Sequence, residues 1–189
     1  MKRLTVFCGA NPGTDPIYMQ AAHELGIWLA ERQVALVYGG ASVGLMGACA
    51  DAVLAHGGQA IGVMPELLQQ RGIAHPKLNE LIVVPDMQAR KAKMLELADA
   101  CLALPGGIGT MEEIFDAISW SQLGLHRKPC AFYNINGYYK SLAAFLDRTV
   151  SEGFLSGGNR EKIIISDSLD IIEQCFATYV PPERRTYSR

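Results

Sequence analysis

Residues 100–114 read ACLALPGGIGTMEEI, and their reading decides the fold. A short apolar run, 100–104, is stopped by Pro105 and followed by Gly106, Gly107 and Gly109. A helical pattern then opens with two adjacent carboxylates, Glu112 and Glu113. Strand, glycine turn, helix is the first half of a βαβ unit. A glycine turn that feeds a helix start normally holds an anion, because unpaired N–H groups and the helix dipole meet there. Carboxylates beside such a cradle therefore need a reason.

The same alternation runs outward in both directions. Short β-branched or apolar runs at 4–8, 35–38, 60–63, 81–84, 100–104, 130–133 and 162–165 predict strands. Helical stretches fall near 16–31, 44–56, 87–98, 110–124, 138–152 and 168–178. This order predicts an α/β fold with a mainly parallel sheet, covered by helices on both faces. Its strands are continuous apolar runs, as burial on both sides requires. Asp15 ahead of Pro16, Asp86, and Asp167 or Ser168 are expected helix caps. One domain over 1–180 is expected, with a loose proline-rich tail at 181–189 and no internal repeat.

Composition narrows the class. The 189 residues are 49% hydrophobic and 19% charged, the balance of a globular protein with a full core. The net charge of −2 speaks against nucleic-acid binding through bulk charge. No apolar run reaches the length of a membrane span, and the start MKRLTVFCGANPG does not pattern as a signal peptide. A cytoplasmic protein is expected. Cys8, Cys49, Cys101, Cys130 and Cys175 form no CxxC pair, which suits free packing thiols in a reducing compartment. The four histidines make no metal-binding spacing, so no metal site is expected.

Three glycine-rich loops follow predicted strands: CGANPG at 8–13, YGGASVGLMG at 38–47 and LPGGIGTMEE at 104–113. In open parallel sheets, ligands bind beyond the carboxyl ends of the strands. Gly9, Gly40 and Gly44 join the third loop as candidate ligand contacts, and a nucleotide or sugar phosphate is the expected ligand. There is no GxxxxGK[ST], and GGIGTME lacks the third glycine of the GxGxxG dinucleotide fingerprint and follows a late strand. The phosphate is then expected on the substrate, and no cofactor is implied.

Two readings of Glu113 stand side by side. Thr110 and Glu113 have the spacing of a capping box. Alternatively, Glu113 faces ribose, water or a cation forming on the sugar. In DMQARKAKMLELADA, Met87, Met94, Leu97 and Ala98 form an apolar stripe on which Arg90 falls, with Lys91 at its edge. Arg90 either snorkels outward or meets an anion, and its planar fork suits phosphate.

PGGIGTMEE and DMQARKAKM together resemble the PGGxGTxxE motif and companion Arg-Lys segment of the LOG (Lonely Guy) proteins. The likeness extends over VFCGANPG, LVYGGASVGLMG, GVMPELL and ISWSQLGLHRKPCAFYNINGYYKSLAAFLD. The resemblance implies a Rossmann-like three-layer sandwich, commonly a homodimer. It implies a cytokinin riboside 5′-monophosphate phosphoribohydrolase, cleaving the N-glycosidic bond of N6-substituted AMP, and often AMP itself, to free base and ribose 5-phosphate. By resemblance, Arg90 and Glu113 are the catalytic pair. Lys91, Gly106, Gly107, Ile108, Gly109, Thr110, Met111 and Glu112 belong to substrate binding. Ser119 stands where many members carry threonine, and Gly72 where plant-type members carry glutamate. A nucleotide-binding module without catalysis is the alternative from another class. The "lysine decarboxylase" label often given to such chains would require a Schiff-base lysine, for which Lys91 and Lys93 qualify only by residue type. Trp120, Leu123 and Leu125 form either an oligomer face or core.

Overall fold

A computed structural model describes residues 1–182. Seven strands form one sheet: β1 (Arg3–Phe7), β2 (Ala35–Tyr38), β3 (Ala60–Pro65), β4 (Glu80–Val84), β5 (Ala100–Ala103), β6 (Cys130–Tyr133) and β7 (Ile163–Ser166). Their spatial order is β4-β3-β2-β1-β5-β6-β7, and every pairing is parallel. Each predicted strand is present within two residues at either end. The tail expected at 181–189 lies, from 183 onward, outside the described residues.

The helices are α1 (Pro16–Glu31), α2 (Gly44–Ala55), α3 (Glu66–Gln69), α4 (Met87–Leu97), α5 (Ile108–Gln122), α6 (Lys140–Ser151), α7 (Gly157–Glu161) and α8 (Leu169–Ala177). Alternate strand residues point to opposite layers. Leu4, Val6, Leu36, Leu102 and Leu104 pack with Leu25 and Leu29 of α1, Leu45 and Val53 of α2, and Ile172 of α8. Phe7, Val37, Val63, Cys101 and Phe132 pack with Met94 of α4, Ile114 and Ile118 of α5, and Leu146 of α6. The result is helix, sheet, helix: three layers with a core on each side of the sheet. Thr5, a polar residue among these strands, is satisfied by donating its hydroxyl to the Met94 carbonyl at 2.8 Å.

Caps fix the helix entries. Asp15 Oδ1 accepts from the Ile17 N–H at 3.0 Å with Pro16 in the first turn, and Asp86 Oδ1 accepts from the Ala89 N–H at 2.8 Å. Ser168 rather than Asp167 caps α8, accepting from the Ile171 N–H. α3 and α7 are single short turns too brief to carry an apolar period, and sequence patterning passes over them.

The chain runs outward from β1 to β4, then returns to place β5 on the other side of β1. Successive connections diverge between β1 and β5, which opens a crevice at their carboxyl ends. No helix among the described residues is long and apolar enough to cross a membrane.

Candidate active site

The three glycine loops leave β1 and β5, which flank the crevice, and β2 next to β1, and they are bonded to one another. The Gly9 N–H donates to the Pro105 carbonyl at 3.0 Å, and the Leu45 N–H donates to the Gly9 carbonyl at 3.1 Å. The His75 N–H donates to the Gly40 carbonyl at 2.8 Å. A cleft of about 220 Å³ lies between the first and third loops, lined by Gly9, Asn11, Tyr18, Gly106, Gly107 and Tyr138.

Individual glycines serve different ends. Gly40 and Gly44 have φ of +79° and +56°, and a Cβ on Gly44 would lie 2.4 Å from the Ala10 backbone. A Cβ on Gly106 would lie 2.1 Å from Thr110 Oγ1. These positions are glycine because the chain itself is crowded there. Gly107 and Gly109 differ: a Cβ on either meets nothing within 4 Å, and neither has positive φ. The protein does not need glycine at these two places. Open space above bare backbone at the start of α5 suits a ligand that approaches closely.

α5 begins at Ile108, with Gly107 as its N-cap and no side-chain cap bond. This overturns the capping-box reading of Thr110 and Glu113. A glycine before the first turn lets the helix start earlier, so Thr110 lies inside the first turn, buried against Gly106. Glu113 lies in the second turn and is free for another partner. That partner is Arg90: its Nη2 is 3.1 Å from Glu113 Oε1, with the side chains only 10% and 8% exposed.

Arg90 does not snorkel. It sits on the buried stripe of α4 beside Met94, while Met87, expected in that stripe, is exposed but brings its Sδ to 3.7 Å from Arg90 Nη1. Gly39, just past β2, makes the room: a Cβ there would be 2.2 Å from Arg90 Nη2. Arg90 Nε is buried without a protein partner among the described residues. A buried guanidinium with an unused donor is costly unless something else accepts from it. Burial pushes the Glu113 carboxyl above the usual glutamate range; Arg90 opposes this, Glu112 adds to it, and Lys91 opposes it.

Lys91 is buried beside Arg90, and its ammonium pairs with Glu112 and, at 2.5 Å, with Asp116 Oδ2. Burial works against its charge, but hydrogen bonds to Asp116 and Glu112 outweigh it and hold the ammonium above the ordinary lysine range. The pairing also neutralises Glu112, so that carboxylate presents less negative charge to an anion at the start of α5. Three ion pairs, Arg90 with Glu113, Lys91 with Glu112 and Lys91 with Asp116, therefore lock α4 against α5.

Other expected residues are placed as follows. Ile108 is 90% exposed at the helix start, and Met111 is half-buried against the second core. Ser119 is exposed, seven residues beyond Glu112 on the same face of α5, and is not brought to the Arg90–Glu113 pair. Gly72 has φ of +69° in the turn after α3, a conformation that glycine adopts more readily than glutamate. Trp120 packs against the second core, whereas Leu123 and Leu125 are exposed. Sequence reading missed Gly39 as a site residue. Its only signal is adjacency to Gly40 after a strand, which looks like ordinary turn chemistry.

The model of the family described as "Possible lysine decarboxylase" matches residues 46–175. The chain is 46% identical over 180 residues, 95% of its length and 83% of the relative's, to the cytokinin riboside 5'-monophosphate phosphoribohydrolase LOG7 of Arabidopsis thaliana. This chain belongs to the LOG family. It is also 47% identical over 170 residues to the cytokinin riboside 5'-monophosphate phosphoribohydrolase of Rhodococcoides fascians, covering 89% and 86% of the two chains. Beyond the LOG proteins the fold extends further. The molybdenum cofactor binding protein from Rippkaea orientalis superposes with a TM-score of 0.69 at 20% identity, covering 92% and 97% of the chains. At that identity the likeness is one of architecture: the three-layer frame is shared, whatever the crevice holds.

Proposed function

We propose that this LOG-family chain hydrolyses the N-glycosidic bond of N6-substituted adenosine 5′-monophosphates, and of AMP, giving free base and ribose 5-phosphate. The observation that carries this reading is the placement of Glu113. It is a buried carboxylate on the helix whose open N-terminal turn is shaped for phosphate. From Ile108 to Glu113 the helix axis advances about 7.5 Å. A 5′-phosphate held at Gly106, Gly107, Ile108, Gly109 and Thr110 would therefore set the ribose, rather than the phosphate, near Glu113. That resolves the conflict between cradle and carboxylate.

Cleavage breaks the bond from the anomeric carbon to the purine nitrogen, and its electron pair leaves with the base. Positive charge builds on the ribose ring as this happens. Glu113 stabilises that charge and accepts a proton from the water that adds to the anomeric carbon; the leaving purine takes a proton from solvent water, and Glu113 returns its own to solvent. Arg90 balances the carboxylate and offers its unused donor to substrate. No metal or organic cofactor is required by these steps.

A Schiff-base decarboxylase fits poorly. Lys91 is bound by two carboxylates that keep its amine charged, whereas imine formation needs the neutral amine. Lys93 is paired with Glu96 at the surface. A homodimer and a reducing, cytoplasmic setting belong to the same proposal. Exposed Met87 and Ile108 beside the site support the first, and the free cysteines, four of them buried, support the second.

The test follows release of free base by chromatography from AMP, isopentenyladenosine monophosphate and its unphosphorylated riboside. Wild type should release base from the monophosphates, and Glu113→Gln should lose about 10²–10³-fold in turnover. Nucleotide binding without any base release would establish a binding module instead.

A further inference from the structure

The segment NINGYY, 134–139, has no part in the chemistry above, yet it reaches the Gly106–Gly107 turn at the rim of the cleft. It leaves β6 through Asn136 and Gly137, with φ of +50° and +70°, and Asn134 Oδ1 accepts from the Tyr139 N–H at 2.7 Å. This tight turn delivers two consecutive tyrosines whose rings stand at 89° with centroids 5.0 Å apart. Tyr139 is buried and donates its hydroxyl to the Leu104 carbonyl at 2.6 Å. Tyr138 lies at the cleft and donates its hydroxyl to the Gly106 carbonyl at 2.7 Å, with the Tyr18 ring T-stacked on its own at a centroid distance of 5.7 Å.

Three successive carbonyls, those of Leu104, Pro105 and Gly106, are thus held by Tyr139, the Gly9 N–H and Tyr138. In a trans peptide the N–H points opposite to the carbonyl that precedes it. Fixing the Gly106 carbonyl therefore fixes the direction of the Gly107 N–H, antiparallel to that carbonyl. Glycine on both sides of this peptide leaves little else to stop it from rotating. The Tyr138 hydroxyl has one proton and spends it on the carbonyl, so it cannot also donate to a phosphate.

We propose that Tyr138 is a positioning residue for phosphate recognition: its bond to the Gly106 carbonyl locks the Gly106–Gly107 peptide so that the Gly107 N–H faces the substrate's 5′-phosphate. This rests on the reading of the turn as the phosphate site. Tyr139 provides an internal contrast. The peptide it holds runs into Pro105 and has no N–H to aim, so its bond serves stability alone.

The test compares KM and kcat for AMP, inhibition by ribose 5-phosphate, and melting temperature in wild type, Tyr138→Phe and Tyr139→Phe. Tyr138→Phe should raise KM for AMP and weaken ribose 5-phosphate by about tenfold, with kcat little changed. The ratio of its activity on AMP to that on the unphosphorylated riboside should fall by a similar factor. Tyr139→Phe should melt about 2–4 °C lower and keep its phosphate preference. A wild type that prefers the monophosphate, beside a Tyr138→Phe enzyme with unchanged KM, would overturn the role of Tyr138 alone. A Tyr138→Phe enzyme that loses monophosphate and riboside activity in equal measure would also overturn it. A wild type indifferent to the phosphate would overturn the phosphate site and the tyrosine's role together.

Discussion

Arg90 and Glu113 meet across the contact between α4 and α5, with Nη2 3.1 Å from Oε1 and both side chains buried. Burying a pair of charges is costly, and an apolar pair in the same place would commonly serve folding as well or better. Here Arg90 Nε is also left without a protein partner among the described residues. A site that keeps a carboxylate dry and a guanidinium only half used stores interactions for a ligand that supplies charge of its own.

The first consequence is a pH dependence. Burial sets the Glu113 carboxyl above the usual glutamate range despite Arg90. Since the ionised form is the working one, kcat/KM should rise with pH through an acid limb that lies above about 4.3, the ordinary glutamate value. Stability runs the other way. In the window between the ordinary value and the raised one, the folded protein binds this proton more strongly than the unfolded chain. The contribution of Glu113 to stability is therefore greatest below that window and falls as pH rises through it. Melting curves of wild type and Glu113→Gln across acidic to neutral pH check this. A difference between the two that grew in favour of wild type with rising pH would contradict the assignment.

Gly109 separates folding from function. It lies in the first turn of α5, its φ is not positive, and a Cβ there meets nothing of the protein. Alanine is favoured over glycine within a helix by about 0.5–1 kcal/mol. Gly109→Ala should therefore melt at or slightly above the wild-type temperature. The added methyl would occupy space assigned to the phosphate, so KM for AMP should rise by about tenfold or more. Thermal denaturation and steady-state kinetics on one preparation decide the matter. A variant with both higher stability and unchanged KM would remove the ligand from this turn.

The two faces of the sheet were legible because strands such as 100–103 and 130–133 are buried on both sides and read as unbroken apolar runs. Arg90 and Glu113 were legible for the opposite reason: a charge on an apolar stripe and a carboxylate beside a glycine turn both break the local pattern. The start of α5 was misplaced because a glycine N-cap has no side chain to announce it, and Thr110 three residues on resembles a cap. Gly39 and Tyr138 carried no such break. Gly39 works on Arg90, far along the chain, and Tyr138 on Gly106, 32 residues earlier, so their roles exist only once the sheet has brought the loops together.

Gly39 supplies the sharpest test of that kind of residue. A Cβ at this position would lie 2.2 Å from Arg90 Nη2, 3.1 Å from its Cζ and 3.3 Å from Met46 Sδ. The guanidinium is the far end of a long side chain and yields more readily than backbone would, so Gly39→Ala should fold with a modest stability loss of about 1 kcal/mol or less. What it cannot keep is the geometry of the pair. Pushed from Gly39, the guanidinium moves relative to Glu113, and displacement by about 1 Å at a reacting centre can cost about 10²-fold in rate. Loss of the nearby positive charge also removes what holds the Glu113 carboxyl down, so the acid limb of kcat/KM should shift to higher pH than in wild type. Activity profiles of the two proteins over the same pH range read both effects. Wild-type turnover with an unmoved acid limb would mean that Arg90 does not govern Glu113, and that the crowding at Gly39 has no bearing on catalysis.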